Sequence, residues 1–147
     1  MKKLNHDEIL NIKPSIHEVQ KKKRTAIYAL LDNVRSLHNV GAIFRTSDAI
    51  LLQKLYLCGI TGFPPKKEIS KTALGAEEVV PFEYRESAIE AIKELKKKGV
   101  QIVAVELAHG SKQYNETKYK FPVCFVFGHE VEGVSDEVME LVDAAIE

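Results

Sequence analysis

The sequence predicts an α/β domain in which a parallel β-sheet lies between layers of helices. Strand-like and helix-like segments alternate through most of the 147 residues, which is the arrangement expected of βαβ units. Several strand-like segments are short, continuous apolar runs, as in strands that are covered on both faces. With 45% hydrophobic residues, the chain is long enough for one continuous core. We therefore expect a single α/β/α domain.

The first half of this domain contains two predicted strands with a helix between them. Residues 26–31 form a short apolar run that ends in a polar loop, and residues 54–58 form the second strand. Between them, apolar and small residues recur near helical spacing, so that one face of a helix would pack on the sheet. These residues are Val40, Ile43, Phe44, Ser47, Ile50 and Leu51. Glycines and paired prolines at 59–65 predict a loop.

The second half contains the clearest helix and three further strands. Residues 87–98 form an amphipathic helix whose last turn is rich in lysine and which ends at Gly99. Strands are predicted at 79–84, at an edge of the sheet, at 100–105, and at 121–127, in the centre. Residues 109–120 form a polar connection, and residues 135–145 predict a helix capped by Ser135 or Asp136.

Composition limits the possible partners. The 21 basic residues balance the 21 acidic residues, so no strong overall field attracts the chain to nucleic acid or to a membrane. Any RNA contact must therefore come from local patches. The basic run at 21–24 could touch phosphates, but such runs are more often a solvated surface.

The two cysteines and the N-terminal residues indicate a reducing compartment. Cys58 and Cys124 each lie inside an apolar run, where a thiol behaves as a small buried hydrophobe. Nothing predicts a disulfide framework or a metal site. We find no secretory signal and no apolar run as long as a membrane span, and we expect a cytoplasmic protein.

A first cluster of polar and small residues lies where the first strand meets its helix. Gly41 permits a close backbone approach near the helix start, where free N–H groups favour an anion, and Asn39 offers both a donor and an acceptor. Arg45 follows six residues after Asn39, and the two side chains can converge if Asn39 lies in the loop. The segment could form a phosphate or ribose site. It could equally be a helix cap, a packing glycine and an exposed arginine.

A second cluster follows the predicted central strand. Gly128 and Gly133 flank Glu130 in an acidic turn, so the backbone could fold tightly around a flat ligand while the carboxylate accepts hydrogen bonds. The turn lacks the glycine spacing of a dinucleotide site, and the sequence has no phosphate-binding Gly-Lys-Ser/Thr motif. A conventional nucleotide site is therefore disfavoured.

Together and in this order, the two clusters resemble the signatures of the SpoU branch of the SPOUT methyltransferases. Asn39, Gly41 and Arg45 match the family's Asn-x-Gly-x-x-x-Arg motif, and Gly128, Glu130 and Gly133 match its Gly-x-Glu-x-x-Gly motif. Residues 71–81 are similar to the family's connecting stretch, in which a Gly-Ala pair precedes a short strand. The resemblance spans residues 25–147. It implies an α/β-knot fold with a C-terminal trefoil knot.

The resemblance also implies an activity, which is transfer of a methyl group from S-adenosylmethionine to a ribose 2′-hydroxyl of tRNA or rRNA. Arg45 would be the principal catalytic residue. Because a guanidinium normally stays protonated, we expect Arg45 to bind the target phosphate and to stabilise charge on the 2′-oxygen. Asn39 would hold the ribose or Arg45, and Glu130 would orient Arg45 or the loop around it.

The remaining site residues follow from the same resemblance. Gly128, Gly133, Glu106 and Leu107 would bind the cofactor, and Arg35 would join Asn39 and Arg45 in binding RNA. No role is predicted for the histidines. The family forms dimers whose active sites use residues of both subunits, so a homodimer is expected when the C-terminal segment is present.

The chain departs from the family pattern at its end. The resemblance predicts a third motif after Glu147, which would close the knot and supply much of the cofactor-binding backbone, but the chain stops where an apolar stretch begins a strand. We expect an incomplete domain at 25–147 preceded by a helical extension at 1–24. A non-catalytic RNA-binding or partner-binding remnant of the same fold is the alternative function.

Overall fold

The computed structural model describes residues 1–12 and 14–147. One position of the predicted N-terminal extension, Lys13, lies outside the described residues. The strands of the domain are β1 (Ile27–Asp32), β2 (Lys54–Cys58), β3 (Phe82–Arg85), β4 (Gln101–Val105), β5 (Val123–Phe127) and β6 (Ala144–Ile146). They form one sheet in the order β3-β2-β1-β5-β4-β6, and every pairing between them is parallel. The predicted parallel α/β sheet is confirmed.

Helices cover both faces of this sheet. The helices after the N-terminal extension are α3 (Leu37–Ala49), α4 (Lys67–Ala73), α5 (Ala88–Lys97) and α6 (Asp136–Met139). Successive side chains of a strand point to opposite faces, so Leu31 packs in the cluster that contains α3 and α4, whereas Leu30 packs in the cluster that contains α5 and α6. The layers therefore form an α/β/α sandwich.

Most predicted elements occur close to their predicted bounds. Strand β2 begins and ends where the sequence predicts, β3 lies at the edge, and β5 lies between β1 and β4 near the centre. The helix predicted at 87–98 is α5, and the side chain of Ser87 caps it by accepting the backbone N–H of Glu90. Both cysteines are buried and free, as their apolar surroundings predict.

The helix predicted at 135–145 is wrong in its second half. Helix α6 ends at Met139, and Ala144–Ile146 is the strand β6 paired with β4. The cause is Asp143, whose carboxylate accepts the backbone N–H of Ile102 at 2.7 Å and the ammonium of Lys96 at 2.7 Å. These contacts hold the chain against the start of β4, so the next residues continue as a strand. The separate expectation that the chain's last apolar stretch begins a strand is confirmed.

The sequence also left one helix unpredicted. Helix α4 has seven residues, which is too short for an apolar periodicity to stand out, and only Ile69 and Ala73 are buried in it. A 3₁₀ turn at Ala76–Glu78 follows it. Strand β3 then begins after Pro81, so this proline precedes the strand.

The N-terminal extension contains two short helices, α1 (His6–Ile12) and α2 (Ile16–Gln20). Helix α2 begins with a capping box between Ser15 and Glu18. Among the described residues, no helix is both long and apolar enough to cross a membrane.

The basic run at 21–24 divides into two parts in the structure. Lys21, Lys22 and Lys23 are exposed, whereas Arg24 is partly buried. The Arg24 guanidinium donates to the carbonyl oxygens of Leu52 at 3.0 Å and Val79 at 2.8 Å. Arg24 therefore supports the fold where the extension enters the sheet. Only the three lysines of the run are exposed to solvent.

Candidate functional site

The candidate site lies at the carboxyl edge of the sheet. Because all six strands are parallel, their carboxyl ends meet at this edge, which is where open α/β sheets bind ligands. The segment after β1 leads into α3, the turn after β5 contains Gly128 and Glu130, and Glu106 directly follows β4. Strands β1, β5 and β4 are neighbours, so the two sequence clusters meet.

A buried aspartate joins β1 to the turn after β5. Asp32 is 2% exposed, and its Oδ2 accepts the backbone N–H of Ser135 at 2.9 Å and the Ser135 hydroxyl at 2.6 Å. Its Oδ1 accepts the side-chain amide of Asn33 at 3.0 Å. A buried carboxylate with several donors is stabilised in its place. Asp32 thus fixes the far end of the turn against β1.

Glu130 makes the second link, to the beginning of α3. Its Oε1 accepts the backbone N–H of Ser36 at 2.9 Å and the side-chain amide of Asn39 at 2.9 Å. Its Oε2 accepts the backbone N–H of Arg35 at 3.1 Å. We call this set of contacts the Glu130 clasp. Glu130 thus holds the segment before α3 and the first turn of that helix, and its side chain forms no hydrogen bond or ion pair with Arg45.

The clasp changes the ionisation of Glu130. Burial raises the pKa of this carboxyl, but hydrogen bonds from the N–H groups of Ser36, Glu130 itself and Arg35, and from the Asn39 amide, outweigh it and lower the pKa from 4.5 to about 2. The carboxylate also lies at the N-terminus of a 13-residue helix, where negative charge is favoured by the helix dipole. The backbone N–H groups of Arg35 and Ser36 are therefore occupied by Glu130, and that of Asn39 by the Ser36 hydroxyl.

Asn39 and Arg45 do not share a face of α3. The helix begins at Leu37 with Ser36 as its cap, so Asn39 lies inside the first turn and the condition for convergence with Arg45 is not met. At about 100° per residue, six residues place the two side chains roughly 120° apart around the helix. Arg45 is exposed, and its side chain has no hydrogen bond or ion pair to another described residue.

The glycine of the first motif serves helix packing. A Cβ built on Gly41 would lie 2.1 Å from Thr72 Oγ1 and 2.3 Å from the carbonyl oxygen of Ile69. These atoms belong to α4, so Gly41 allows α3 and α4 to approach closely. The sequence allowed either a packing role for Gly41 or a close backbone approach to a ligand. In the structure the close approach is to α4, so Gly41 has the packing role.

The glycines of the second motif shape the turn after β5. A Cβ on Gly128 would lie 2.1 Å from both the carbonyl carbon of Gly133 and the nitrogen of Val134. Gly133 has a φ of +74°, and a Cβ on it would lie 2.3 Å from Glu106 Oε2. The turn is therefore closed on itself, with Glu106 against its outer side.

Glu106 connects the turns after β4 and β5. Its Oε2 accepts the backbone N–H of Val134 at 2.8 Å, and its Oε1 accepts that of Leu107 at 3.1 Å. The apolar side chains beside it are uncovered, with Leu107 79% and Val131 82% exposed. The four residues predicted to bind the cofactor thus lie together, on two adjacent strand ends.

Sequence reasoning missed several residues that build this edge. Besides Asp32 and Ser36, the His129 Nδ1 accepts the backbone N–H groups of Val131 and Glu132, both at 3.2 Å. Thr61 is buried, accepts the N–H of Val34 at 2.9 Å and donates to the Leu31 carbonyl at 3.2 Å. Asp32 could have been found, because it is the one charged residue of β1 and directly follows its apolar run.

A depression of about 290 Å³ opens between α3 and β5. It is lined by Val34, Asn39, Ala42, Ile43, Phe127, Gly128 and Glu130. Residues of both sequence clusters therefore border one cavity, and Arg45 is not among them.

Comparison with known proteins identifies the family of the chain. Residues 26–147 match the model of the SpoU rRNA Methylase family. The chain belongs to this family. Within it, the chain is 34% identical over 131 residues to the tRNA (guanosine(18)-2′-O)-methyltransferase of Aquifex aeolicus, an alignment that covers 89% of this chain and 62% of that protein. The Thermus thermophilus enzyme of the same name is 32% identical over 131 residues, covering 89% and 66%.

Solved SpoU-family structures have the same fold. The crystal structure of the A. aeolicus TrmH/SpoU tRNA-modifying enzyme superposes with a TM-score of 0.78 at 32% identity, covering 90% of this chain and 66% of that one. The AdoMet-bound rRNA methyltransferase from Sinorhizobium meliloti gives a TM-score of 0.75 at 27% identity, covering 87% and 49%. The chain thus spans between about half and two thirds of these relatives.

Proposed function

We propose that this SpoU-family domain transfers a methyl group from S-adenosylmethionine to a ribose 2′-hydroxyl of tRNA or rRNA in the cytoplasm. The observation that carries the proposal is the Glu130 clasp, because it joins the two family motifs at the carboxyl edge of the sheet. The names of the relatives supply the reaction, since two of them are tRNA 2′-O-methyltransferases.

The turns after β4 and β5 fit the cofactor. S-adenosylmethionine supplies an electrophilic methyl group when it is bound. An ionised carboxylate has about four acceptor positions, and Glu106 uses two of them for Val134 and Leu107, so two are left for hydroxyl groups of a nucleoside. The exposed apolar side chains of Leu107 and Val131 suit the flat base. Gly133 keeps a side chain away from the Glu106 carboxylate, and Gly128 allows the turn beside it to close.

The start of α3 would bind the RNA. The amide nitrogen of Asn39 donates to Glu130, while its amide oxygen has no described donor and can accept a ribose hydroxyl. Arg35 and Arg45 are exposed and can bind phosphates through paired N–H groups. We expect Arg45 to stabilise negative charge on the 2′-oxygen as the proton leaves, as preorganised donors do in other active sites.

We further infer a homodimer in which Arg45 of one subunit serves the cofactor site of the other. The position of Arg45 supports this arrangement, because it is roughly 120° around α3 from Asn39 and does not line the depression beside Gly128. Within one subunit the arginine and the cofactor turns therefore face different ways. A twofold axis would bring them together.

Two measurements test the activity. Titration calorimetry with S-adenosylmethionine measures cofactor binding, and incorporation of its labelled methyl group into unmodified tRNA and rRNA measures transfer. Arg45→Ala should retain cofactor binding and lose transfer, whereas Lys118→Ala, which removes an exposed cation from the depression that Gln101 lines at the start of β4, should retain both. Full transfer by Arg45→Ala would contradict the proposed role. RNA binding without any cofactor binding would instead support a non-catalytic remnant.

Mixing two inactive variants tests the shared site. Arg45→Ala lacks the arginine and Glu106→Ala lacks the cofactor carboxylate, so a mixed dimer would contain one intact site. Random exchange of subunits at equal concentrations should restore about a quarter of the wild-type rate. If every mixture stays inactive while mass measurement shows mixed dimers, Arg45 acts within its own subunit.

A further inference from the structure

Two aromatic side chains form an exposed pair at the carboxyl edge of the sheet. Phe63 lies in the loop after β2 and Tyr84 lies in the edge strand β3. Their ring centroids are 4.7 Å apart with planes tilted by 40°, and they are 41% and 37% exposed. The pair contrasts with Phe44 and Phe82, which pack edge to face in the core. We call Phe63 and Tyr84 the aromatic pair.

The aromatic pair is held rigidly. The Tyr84 hydroxyl donates to the Gly59 carbonyl at 2.9 Å, and buried Thr61 ties the same loop to β1 through the Leu31 carbonyl. A Cβ on Gly62 would lie 2.2 Å from Leu37 Cδ2, so the loop also packs against the first residue of α3. Rings fixed in this way lose little conformational entropy when they bind a ligand.

Three lysines follow Phe63 in the sequence, and the side chain of Lys66 lies beside Gly62, where a Cβ would be 3.4 Å from Lys66 Cε. Residues 63–71 contain Lys66, Lys67 and Lys71 against the single acidic residue Glu68. All three lysines are exposed, and none forms an ion pair with another described residue. A rigid aromatic surface beside unpaired lysines is the combination with which proteins bind single-stranded nucleic acid, because bases stack on the rings and phosphates meet the cations.

We propose that the aromatic pair is a stacking platform for an unpaired base of the RNA substrate, with Lys66 and Lys67 binding the adjacent phosphates. The proposal rests on the proposed function, since it supplies a second contact for the same RNA. The position supports it, because the loop touches Leu37, two residues before Asn39 in the candidate site. A base held here would neighbour the target nucleotide along the strand.

Binding of a short RNA tests the platform without requiring methyl transfer. The probe is an unstructured RNA of about 12 nucleotides, within the site sizes common for single-strand binding, that contains one 2-aminopurine. The fluorescence of this base is quenched when it stacks, and anisotropy of an end label gives the affinity. Phe63→Ala should weaken binding roughly 5- to 150-fold, the range for loss of one stacked base, and should abolish the quenching. Tyr114→Ala removes another exposed ring, 63% exposed, and should leave both unchanged.

A second variant that should keep RNA binding separates the loss of a stacking contact from misfolding. The chain contains no tryptophan, so Phe63→Trp introduces a single indole that should retain RNA affinity and be quenched by the probe. Equal affinity of Phe63→Ala and wild type, with RNA bound, would overturn the platform while leaving the proposed function intact. A failure of the wild-type chain to bind any RNA would overturn both. If Phe63→Ala left RNA affinity unchanged but converted a dimer into a monomer, the aromatic pair would be a contact between subunits and the platform would also be wrong.

Discussion

Replacing Glu130 with glutamine removes the charge of the clasp while keeping the side chain's size. The pKa of this carboxyl falls from 4.5 to about 2 in the folded chain, which at about 1.36 kcal/mol per pKa unit gives an upper limit of about 3 kcal/mol. Because the residue is exposed, solvent screening reduces this contribution to roughly 1–2 kcal/mol. We expect Glu130→Gln to lower the free energy of unfolding at neutral pH by that amount.

The effect has a definite pH dependence. A carboxyl whose pKa is lowered by folding stabilises the protein fully above its unfolded pKa, near 4.5, and the stabilisation is lost as the pH falls towards the folded pKa of about 2. The difference between wild type and Glu130→Gln should therefore fall below half of its neutral value by about pH 3. Urea unfolding followed by circular dichroism at both pH values measures it.

Glu132 provides the matched control. It lies in the same turn and is exposed, and its side chain forms no hydrogen bond or ion pair with another described residue. Glu132→Gln should change the free energy of unfolding by less than about 0.5 kcal/mol. If the two variants are equally stable at neutral pH, or if the penalty of Glu130→Gln does not shrink in acid, the carboxylate does not hold the start of α3 as we have argued.

Two further substitutions test the contacts around the clasp. A Gly→Ala change normally stabilises a helix by about 1 kcal/mol, but at Gly41 the new methyl group would meet Thr72 and Ile69. We therefore expect Gly41→Ala to lower the free energy of unfolding in urea by roughly 1–3 kcal/mol. An increase would show that α3 and α4 are not so close. Asp32→Ala leaves the two Ser135 donors without their acceptor and should cost roughly 1–3 kcal/mol. Its double-mutant cycle with Ser135→Ala should show coupling, and simple additivity of the two losses would contradict the link.

The sequence predicts the sheet well because the apolar runs report burial directly. Strands β2 and β5 follow from such runs, and α5 follows from its period, its lysine-rich end and Gly99 after it. The predictions fail where a long-range contact decides the local structure. Residues 144–146 have an apolar composition that suits a helix or a strand, and the bonds of Asp143 to β4 select the strand.

Long-range contacts also limit what the sequence predicts about the candidate site. The resemblance brings Asn39 and Glu130 into one prediction, and they are hydrogen-bonded across 91 residues of sequence. It does not reveal which member of the first motif Glu130 touches, because that depends on where α3 begins. Ser36 takes the cap position, which places Asn39 towards the turn and turns Arg45 away from it.

The contacts also change how the family signatures should be understood. Motif glycines suggest room for a ligand, yet Gly41 makes room for α4 and Gly128 for the backbone of its own turn. Asp32, Glu130 and Glu106 then hold that closed turn to three neighbouring segments through hydrogen bonds to backbone N–H groups. Because each carboxylate binds the backbone, the position of the turn does not depend on which side chains line it. The strand ends beneath the turn are therefore held in place independently of the side chains on its surface, and the Arg45 side chain takes no part in these contacts.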